Sequence, residues 1–181
     1  MGWQAIRLDG GVVNGSSLMP ALIDKKDLLA RLYESVATDL ATMSAAQRQV
    51  VDGATHEENK PENDKDTRAL EQSYLARGQA QRVVELQASL NQLKVLELRS
   101  FSANSAIGLS ALVSVDDGRD IVHYFIAPAG GGVRVTVAAS EVRVVTPQSP
   151  IAQALLGKHE GDDLDVRTPQ GVSECSIVRV S

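Results

Sequence analysis

Residues 56–66 form a dense group of acidic side chains in the first half of the chain. They are His-Glu-Glu-Asn-Lys-Pro-Glu-Asn-Asp-Lys-Asp, with five carboxylates in eleven residues. Carboxylates attract cations and basic surfaces, because opposite charges lower the energy of an encounter. A partner of this stretch is therefore expected to be basic, metal-bearing or mixed in charge.

Helix electrostatics offers a second explanation for part of this acidic group. Pro61 is tolerated at the first position of a helix, and acids in a first helical turn offset the helix macrodipole. That explanation covers the acids of residues 62–66. It does not cover Glu57 and Glu58, which follow a helical pattern, because acids near a helix C-terminus oppose the dipole.

Two helical patterns must position this stretch. Before it, residues recur at alternating steps of four and three: Leu29, Tyr33, Val36, Leu40, Met43, Gln47 and Val50. After it comes a second stripe: Ala76, Ala80, Val83, Leu86, Leu90 and Leu93, with Leu70 and Tyr74 nearer the turn. Two such stripes joined by a short polar turn can bury each other only by folding back antiparallel. The sequence predicts a coiled-coil hairpin with one arm from about Asp24 to Gly53 and the other from about Pro61 to Leu98. Its tip lies near residues 56–66, and Gly78 predicts a close helix contact or a bend.

The second half of the chain has the pattern of a sheet. Beyond Ser102, apolar and polar residues alternate and β-branched residues are frequent. The candidate strands are Leu109 to Val115, Asp120 to Ala127, Val133 to Ala138, Val142 to Val145, Leu164 to Thr168 and Ser173 to Val180. Between the fourth and fifth lies one short helix, with Ser149 as N-cap, Pro150 at its first position and Gly157 just past its end. The predicted fold class is α+β, with a mostly antiparallel sheet.

Three motifs in the second half resemble a known family. They are Ser-Pro-Ile-Ala-Gln-Ala-Leu-Leu-Gly-Lys at 149–158, Glu-Gly-Asp at 160–162 and Thr-Pro-Gln-Gly-Val at 168–172. In this order they resemble the C-terminal domain of bacterial Gre-type transcription elongation factors. The likeness covers about the last eighty residues in detail, and the first part resembles the family in its acidic hairpin and the fragment Glu62-Asn63.

The resemblance implies a fold and a partner. The C-terminal domain would be FKBP-like and would dock on the rim of the secondary channel of RNA polymerase, with the coiled coil inserted down that channel. In the family the loop that enters the short helix contacts polymerase. That loop maps onto Gln148, Ser149 and Pro150.

The resemblance also implies a chemical role for the tip. Gre-type factors stimulate the polymerase active site to hydrolyse backtracked RNA, and their tip carboxylates help to hold a second Mg²⁺ and orient the attacking water. By this likeness Glu62, Glu58 and Asp64 are the candidate catalytic carboxylates. Glu62 and Glu58 are candidate Mg²⁺ ligands, only jointly with the polymerase. The chain is then not an independent enzyme and has no cofactor of its own.

The tip departs from the family pattern at one position. The family presents Asp-x-x-Glu-Asn, whereas residues 59–63 are Asn-Lys-Pro-Glu-Asn. Asn59 can ligate a metal through its carbonyl oxygen but brings no negative charge. A regulator that enters the channel without stimulating cleavage is therefore an open alternative. So is a coiled-coil scaffold protein without polymerase function, whereas prolyl isomerase activity is disfavoured by the scarcity of aromatic residues.

Composition bounds the remaining possibilities. The net charge of −5 and the aromatic content of 3% argue against a nucleic-acid surface of the protein's own, so nucleic acid is expected only within the transcription complex. Lone Cys175 fits a reducing compartment and no apolar run is long enough to span a membrane, so a cytoplasmic protein with no membrane contact is expected. Insertion into a narrow channel, which the resemblance implies, favours a monomer. The expected organisation is a disordered extension over 1–18, the coiled-coil hairpin over 19–102 and the FKBP-like domain over 103–181. Met19 is an alternative native start to Met1.

Overall fold

The computed structural model describes residues 23–54, 67–168 and 171–181. Two long helices precede a six-stranded sheet that is interrupted by one short helix. The elements are α1 (Lys25–Ala54), α2 (Thr67–Lys94), β1 (Leu112–Asp116), β2 (Ile121–Ile126), β3 (Arg134–Val137), β4 (Ser140–Val145), α3 (Pro150–Leu155), β5 (Asp163–Thr168) and β6 (Gly171–Val180). The α+β class predicted from the sequence is confirmed.

Helix α1 begins at a side-chain cap and buries one narrow stripe. The amide of Lys26 donates to Asp24 Oδ1 at 2.8 Å, which satisfies one of the unpaired donors of the first turn. Leu28, Leu32 and Val36 are buried at steps of four. The predicted stripe through Leu29 and Tyr33 is wrong by one residue at this end, since Leu29 is only half-buried and Tyr33 is 39% exposed.

Helix α2 packs antiparallel to α1 through the predicted residues. Leu86, Leu90 and Leu93 near its end are buried in one cluster with the stripe at the start of α1. Tyr74 is 68% exposed, so its assignment to the stripe is wrong. The predicted end at Leu98 is also wrong. The helix ends at Lys94 because Leu96 and Leu98 continue in a non-helical segment that packs both side chains against the same cluster.

Gly78 makes no close helix contact. It lies inside α2 and is exposed, and a Cβ built on it would meet no atom within 4 Å. Of the two alternatives predicted at this glycine, the close helix contact is wrong, and the bend stays a prediction. The cost of Gly78 to the helix, about 1 kcal/mol relative to Ala, is not offset by packing.

The strands form one sheet in the order β3-β4-β2-β1-β6-β5. All neighbouring pairs are antiparallel except β2 and β4, which run parallel with Phe125 opposite Val144. A bulge between Ser114 and Val115 shifts the pairing of β1 with β6. The mostly antiparallel sheet predicted from the alternating pattern is confirmed.

The sheet is covered on both faces. Leu112 and Phe125 face the two long helices, whereas the next residues along each strand, Val113 and Ile126, belong to a second cluster with α3. Successive strand residues point to opposite faces, so these clusters are two layers of core separated by the sheet. The base of the helical hairpin therefore shares a core with the sheet.

One tight contact fastens α1 to the loop before β3. Gly130 has φ of +77°, and a Cβ placed on it would lie 2.9 Å from Leu32 Cδ1. Leu32 is fully buried, so its side chain has little room to move away. The loop approaches the helix this closely because residue 130 has no side chain.

We expect Gly130→Ala to lower the free energy of unfolding by about 2–4 kcal/mol, from left-handed backbone strain and overpacking together. Urea denaturation measures it. Gly132→Ala is the matched control, because Gly132 has φ of +89° but a Cβ there would meet no atom within 4 Å. The control should lose only the backbone part, about 1–2 kcal/mol. Equal losses in the two variants would contradict the close packing against Leu32.

Candidate functional site

The two ends of the hairpin lie in different surroundings. The start of α1 and the end of α2 pack on the sheet, so Ala54 and Thr67 lie at the end remote from it. At about 1.5 Å per residue, the 30 residues of α1 span about 45 Å. Residues 55–66 connect these remote ends.

The predicted tip residues lie outside the described part of the chain. Glu58, Asn59, Glu62 and Asp64 all fall within residues 55–66. Their roles stay predictions. Among residues 23–54, 67–168 and 171–181, no group of three His, Cys, Asp or Glu side chains is arranged to hold a metal ion.

The second predicted site is the loop that enters α3. Ser149 has extended backbone angles of φ −70° and ψ 145°, and its Oγ accepts a hydrogen bond from the amide of Ala152 at 3.3 Å. Its own amide donates to the carbonyl of Thr146 at 2.9 Å. Pro150 is exposed at the first helical position. The N-cap and the proline predicted from the sequence are therefore both present.

The short helix behind this loop is firmly seated. Ala152 and Leu155 are fully buried against the sheet. After the helix, Gly157 adopts φ of +80° and its amide donates to the carbonyl of Ile107 at 2.9 Å. The loop residues Gln148 and Pro150 are thus exposed on a rigid support, which is the property that a docking surface needs.

The structure adds two residues to this site that the sequence reasoning did not name. A groove of about 430 Å³ beside Ser149 is lined by the half-buried Tyr124 and by Arg143, with Gly131 and Thr146. Arg143 Nε lies 3.6 Å from Glu141 Oε1, an exposed pair that contributes little to stability. Alternation along β2 predicts only that Tyr124 and Phe125 lie on opposite faces of the sheet. It does not predict which of those faces α3 covers.

A second groove on this part of the sheet contains a perturbed histidine. It measures about 530 Å³ and is lined by Tyr124, Ile151 and His123 among others. His123 Nδ1 lies 2.9 Å from Ser114 Oγ. Burial of the ring lowers the pKa of His123 below its usual 6.5, because the charged imidazolium loses hydration.

This lowered pKa predicts a pH dependence of stability. The unfolded chain binds more protons at residue 123 than the folded chain does, so the stabilisation is complete above about pH 6.5 and is lost as the pH falls below it. We expect the melting temperature to fall less steeply between about pH 7 and pH 5 in His123→Gln than in the parent chain. An NMR titration of the ring checks the cause directly. A His123 midpoint at or above 6.5 would contradict the prediction.

A family model for the C-terminal domain of the GreA/GreB transcription elongation factors matches residues 131–181. This stretch contains the loop 148–150, α3, β5 and β6. The match therefore covers the loop 148–150 and does not cover residues 55–66.

One relative extends the similarity into the first half of the chain. A transcription elongation factor GreA of Alkalilimnicola ehrlichii is 27% identical over 165 residues, which cover 87% of this chain and 98% of that protein. A GreA of Polaromonas naphthalenivorans is 31% identical over 101 residues, covering 55% of this chain and 60% of that protein. A crystal structure of GreA factor homolog 1 (Gfh1) of Thermus thermophilus has 19% identity, a TM-score of 0.36 and covers 82% of this chain and 94% of that one.

None of the described helices is long and apolar enough to cross a membrane.

Proposed function

We propose that the chain is a Gre-type transcription elongation factor that binds RNA polymerase, a proposal that the match over residues 131–181 and the GreA relatives support. It docks through the loop 148–150 and presents the hairpin tip to the catalytic centre. The observation that carries this proposal is that the family match includes the whole of this loop together with α3.

The geometry of the loop supports the docking half of the proposal. Gln148 and Pro150 are exposed, and the groove beside them offers the aromatic ring of Tyr124 and the guanidinium of Arg143. Tyrosine and arginine are the side chains that most often anchor a protein interface. A capped helix start with an adjoining groove is therefore suited to a protein surface rather than to a small molecule.

The length of the hairpin supports the proposal that the tip is presented to the catalytic centre. An arm of about 45 Å is long enough to carry a tip well away from the docking loop. At that tip, Glu62, Glu58 and Asp64 would help to hold a Mg²⁺ that the polymerase shares. Asn59 supplies an oxygen without charge in place of the first acid, which favours weaker cleavage stimulation than an acid would give.

Binding of the full-length protein to core RNA polymerase tests the proposal. We expect specific binding that Gln148→Ala weakens about tenfold, which corresponds to about 1.4 kcal/mol. Gln92→Ala is the matched control, since Gln92 is also an exposed glutamine and lies in the last turns of α2, away from the loop. The control should bind as the parent chain does.

Two outcomes would count against the proposal. If the full-length protein did not bind core polymerase, the polymerase function would be wrong, and a scaffold role through the helical arms would become the better explanation. Concentration-dependent oligomers in analytical ultracentrifugation would then support that role. If Gln148→Ala and Gln92→Ala bound equally well, polymerase binding would stand but the docking loop would be misplaced.

A further inference from the structure

The first residue of α1 contacts two segments that lie far along the chain. Lys25 Nζ donates hydrogen bonds to the carbonyl of Arg99 and, at 3.2 Å, to the carbonyl of Ser110. The same nitrogen lies 5.0 Å from the centroid of the Phe101 ring. Arg99 and Phe101 follow α2, and Ser110 precedes β1. One side chain therefore ties the start of the hairpin to the connection between the hairpin and the sheet.

The Ser110 end of this contact is held by the sheet. Ser110 is fully buried with φ of +65°, its amide donates to the carbonyl of Ile126 at 2.8 Å, and its Oγ accepts from the amide of Arg99 at 2.9 Å. A residue other than glycine keeps such a backbone conformation only where its surroundings enforce it. The Ser110 carbonyl that Lys25 contacts is therefore held in a fixed position.

The connecting segment is also held along its length. Leu96 and Leu98 pack against the core beneath the helices, and Phe101 packs against the core beside α3. The guanidinium carbon of Arg99 lies 5.5 Å from the Phe101 ring centroid, so two cations flank this ring. Cation–π contacts of this kind contribute most where they are partly shielded from water.

Helix electrostatics does not explain a lysine at this position. A cation in the first turn of a helix opposes the macrodipole. Burial of the ammonium group also lowers the pKa of Lys25, because its charge loses hydration. These two costs are offset by the two carbonyl acceptors and the aromatic ring, which points to a role in joining the two parts of the molecule.

We propose that Lys25 is a positioning residue that, with Arg99, Phe101 and Ser110, forms a clamp fixing the direction in which the hairpin leaves the sheet. The hydrophobic attraction at the hairpin base has no preferred direction, whereas hydrogen bonds have strict geometry. A rotation of about 10° at the base would move the far end of a 45 Å arm by about 8 Å. Given the proposed function, on which this consequence rests, the clamp sets where the tip lies relative to Gln148 and Pro150.

A distance distribution between the hairpin and the sheet tests the clamp in the free protein. Spin labels are placed at Glu71→Cys on α2, far from the hairpin base, and at Asp165→Cys on β5, both exposed positions, in a Cys175→Ala background. Double electron–electron resonance then compares Lys25→Met with Lys26→Met. Lys26 is the matched control, because it is an exposed lysine one residue along in the same helical turn.

We expect Lys25→Met to widen the distance distribution at least about twofold, while Lys26→Met leaves it unchanged. Lys25→Arg, which keeps the charge and the donors, should keep it narrow. An unchanged distribution in Lys25→Met would overturn the proposal, as would equal widening in both lysine variants. Should Lys25→Met lack a native circular dichroism spectrum, Phe101→Leu replaces it and is judged by the same two outcomes.

This measurement needs no polymerase, so its result is independent of the proposed function. If the clamp exists but the full-length protein does not bind polymerase, only the functional use of the clamp fails. If the protein does bind, we expect Lys25→Met to retain binding and to lose at least about tenfold of any tip-dependent RNA cleavage, since small misplacement of reacting groups is costly. Full cleavage by Lys25→Met would overturn the positioning role.

Discussion

Replacing Leu32 with Ala is expected to lower the free energy of unfolding by about 2–5 kcal/mol, the range found for buried leucines. Leu32 is fully buried, because α2, the sheet and the loop at Gly130 pack around it. Surrounding residues relax only partly into the cavity left by this replacement, so most of the lost contact energy is not recovered. Urea denaturation followed by circular dichroism measures the change.

Leu29→Ala is the matched control for this prediction. It makes the same chemical change in the same helix, so any effect of helix propensity is shared. Leu29 is only half-buried, and we expect its replacement to cost about 1 kcal/mol. If Leu29→Ala were as destabilising as Leu32→Ala, the stripe inferred from the sequence would be right and the packing seen in the structure wrong.

The one-residue error in that stripe has a physical cause. The coiled-coil period assumes that a helix is buried only by a partner helix. At its start, however, α1 also packs against the sheet, so its buried face is wider and is centred on Leu28 and Leu32. Farther along, Val36 belongs both to the stripe predicted from the sequence and to the buried face seen in the structure. Because Leu28 and Leu29 are adjacent, the sequence does not show which of them is buried. Contact with the sheet, which is distant in sequence, buries Leu28.

The predictions that succeeded rest on short-range signals. Each strand was marked by alternation and by turn residues at its ends, and α3 was marked by Ser149, Pro150 and Gly157 within nine residues. Capping and turn signals act through neighbouring backbone groups, so they depend less on tertiary packing than a helix boundary without a cap does. The end of α2 had no such mark, and there the packing of Leu96 and Leu98 decided the boundary.

The candidate site around the loop 148–150 could be predicted only in part for the same reason. The loop residues Gln148, Ser149 and Pro150 were available from the family resemblance and the local capping pattern. Tyr124 and Arg143 reach the loop from two other strands that pair in parallel, Tyr124 opposite Arg143. A parallel pairing between strands separated in sequence leaves no local signal.

Replacing Glu62 with Ala is expected to lower any stimulated cleavage of backtracked RNA by about tenfold to a hundredfold, with binding to polymerase unchanged. The physical reason is that Glu62→Ala would remove both a ligand and a negative charge from the Mg²⁺ site. Even mutations of groups that only hydrogen-bond metal ligands typically cost about 10–100-fold in affinity or activity. Cleavage of a stalled transcript by core polymerase, with and without the protein, measures it. Asp66→Ala is the matched control, because it removes an equal charge from the same stretch.

At residue 59 the opposite change, the addition of a carboxylate, tests the same proposed metal site. Asn59→Asp supplies an acid where the resembling family has one, so we expect cleavage to rise and the half-maximal Mg²⁺ concentration to fall. If Asn59→Asp had no effect while Glu62→Ala abolished cleavage, Glu62 would act without help from position 59. Equal loss of polymerase binding and cleavage in Glu62→Ala would contradict metal delivery. If the parent chain stimulated no cleavage but Asn59→Asp did, the protein would be a channel-binding regulator that lacks only the negative charge at residue 59.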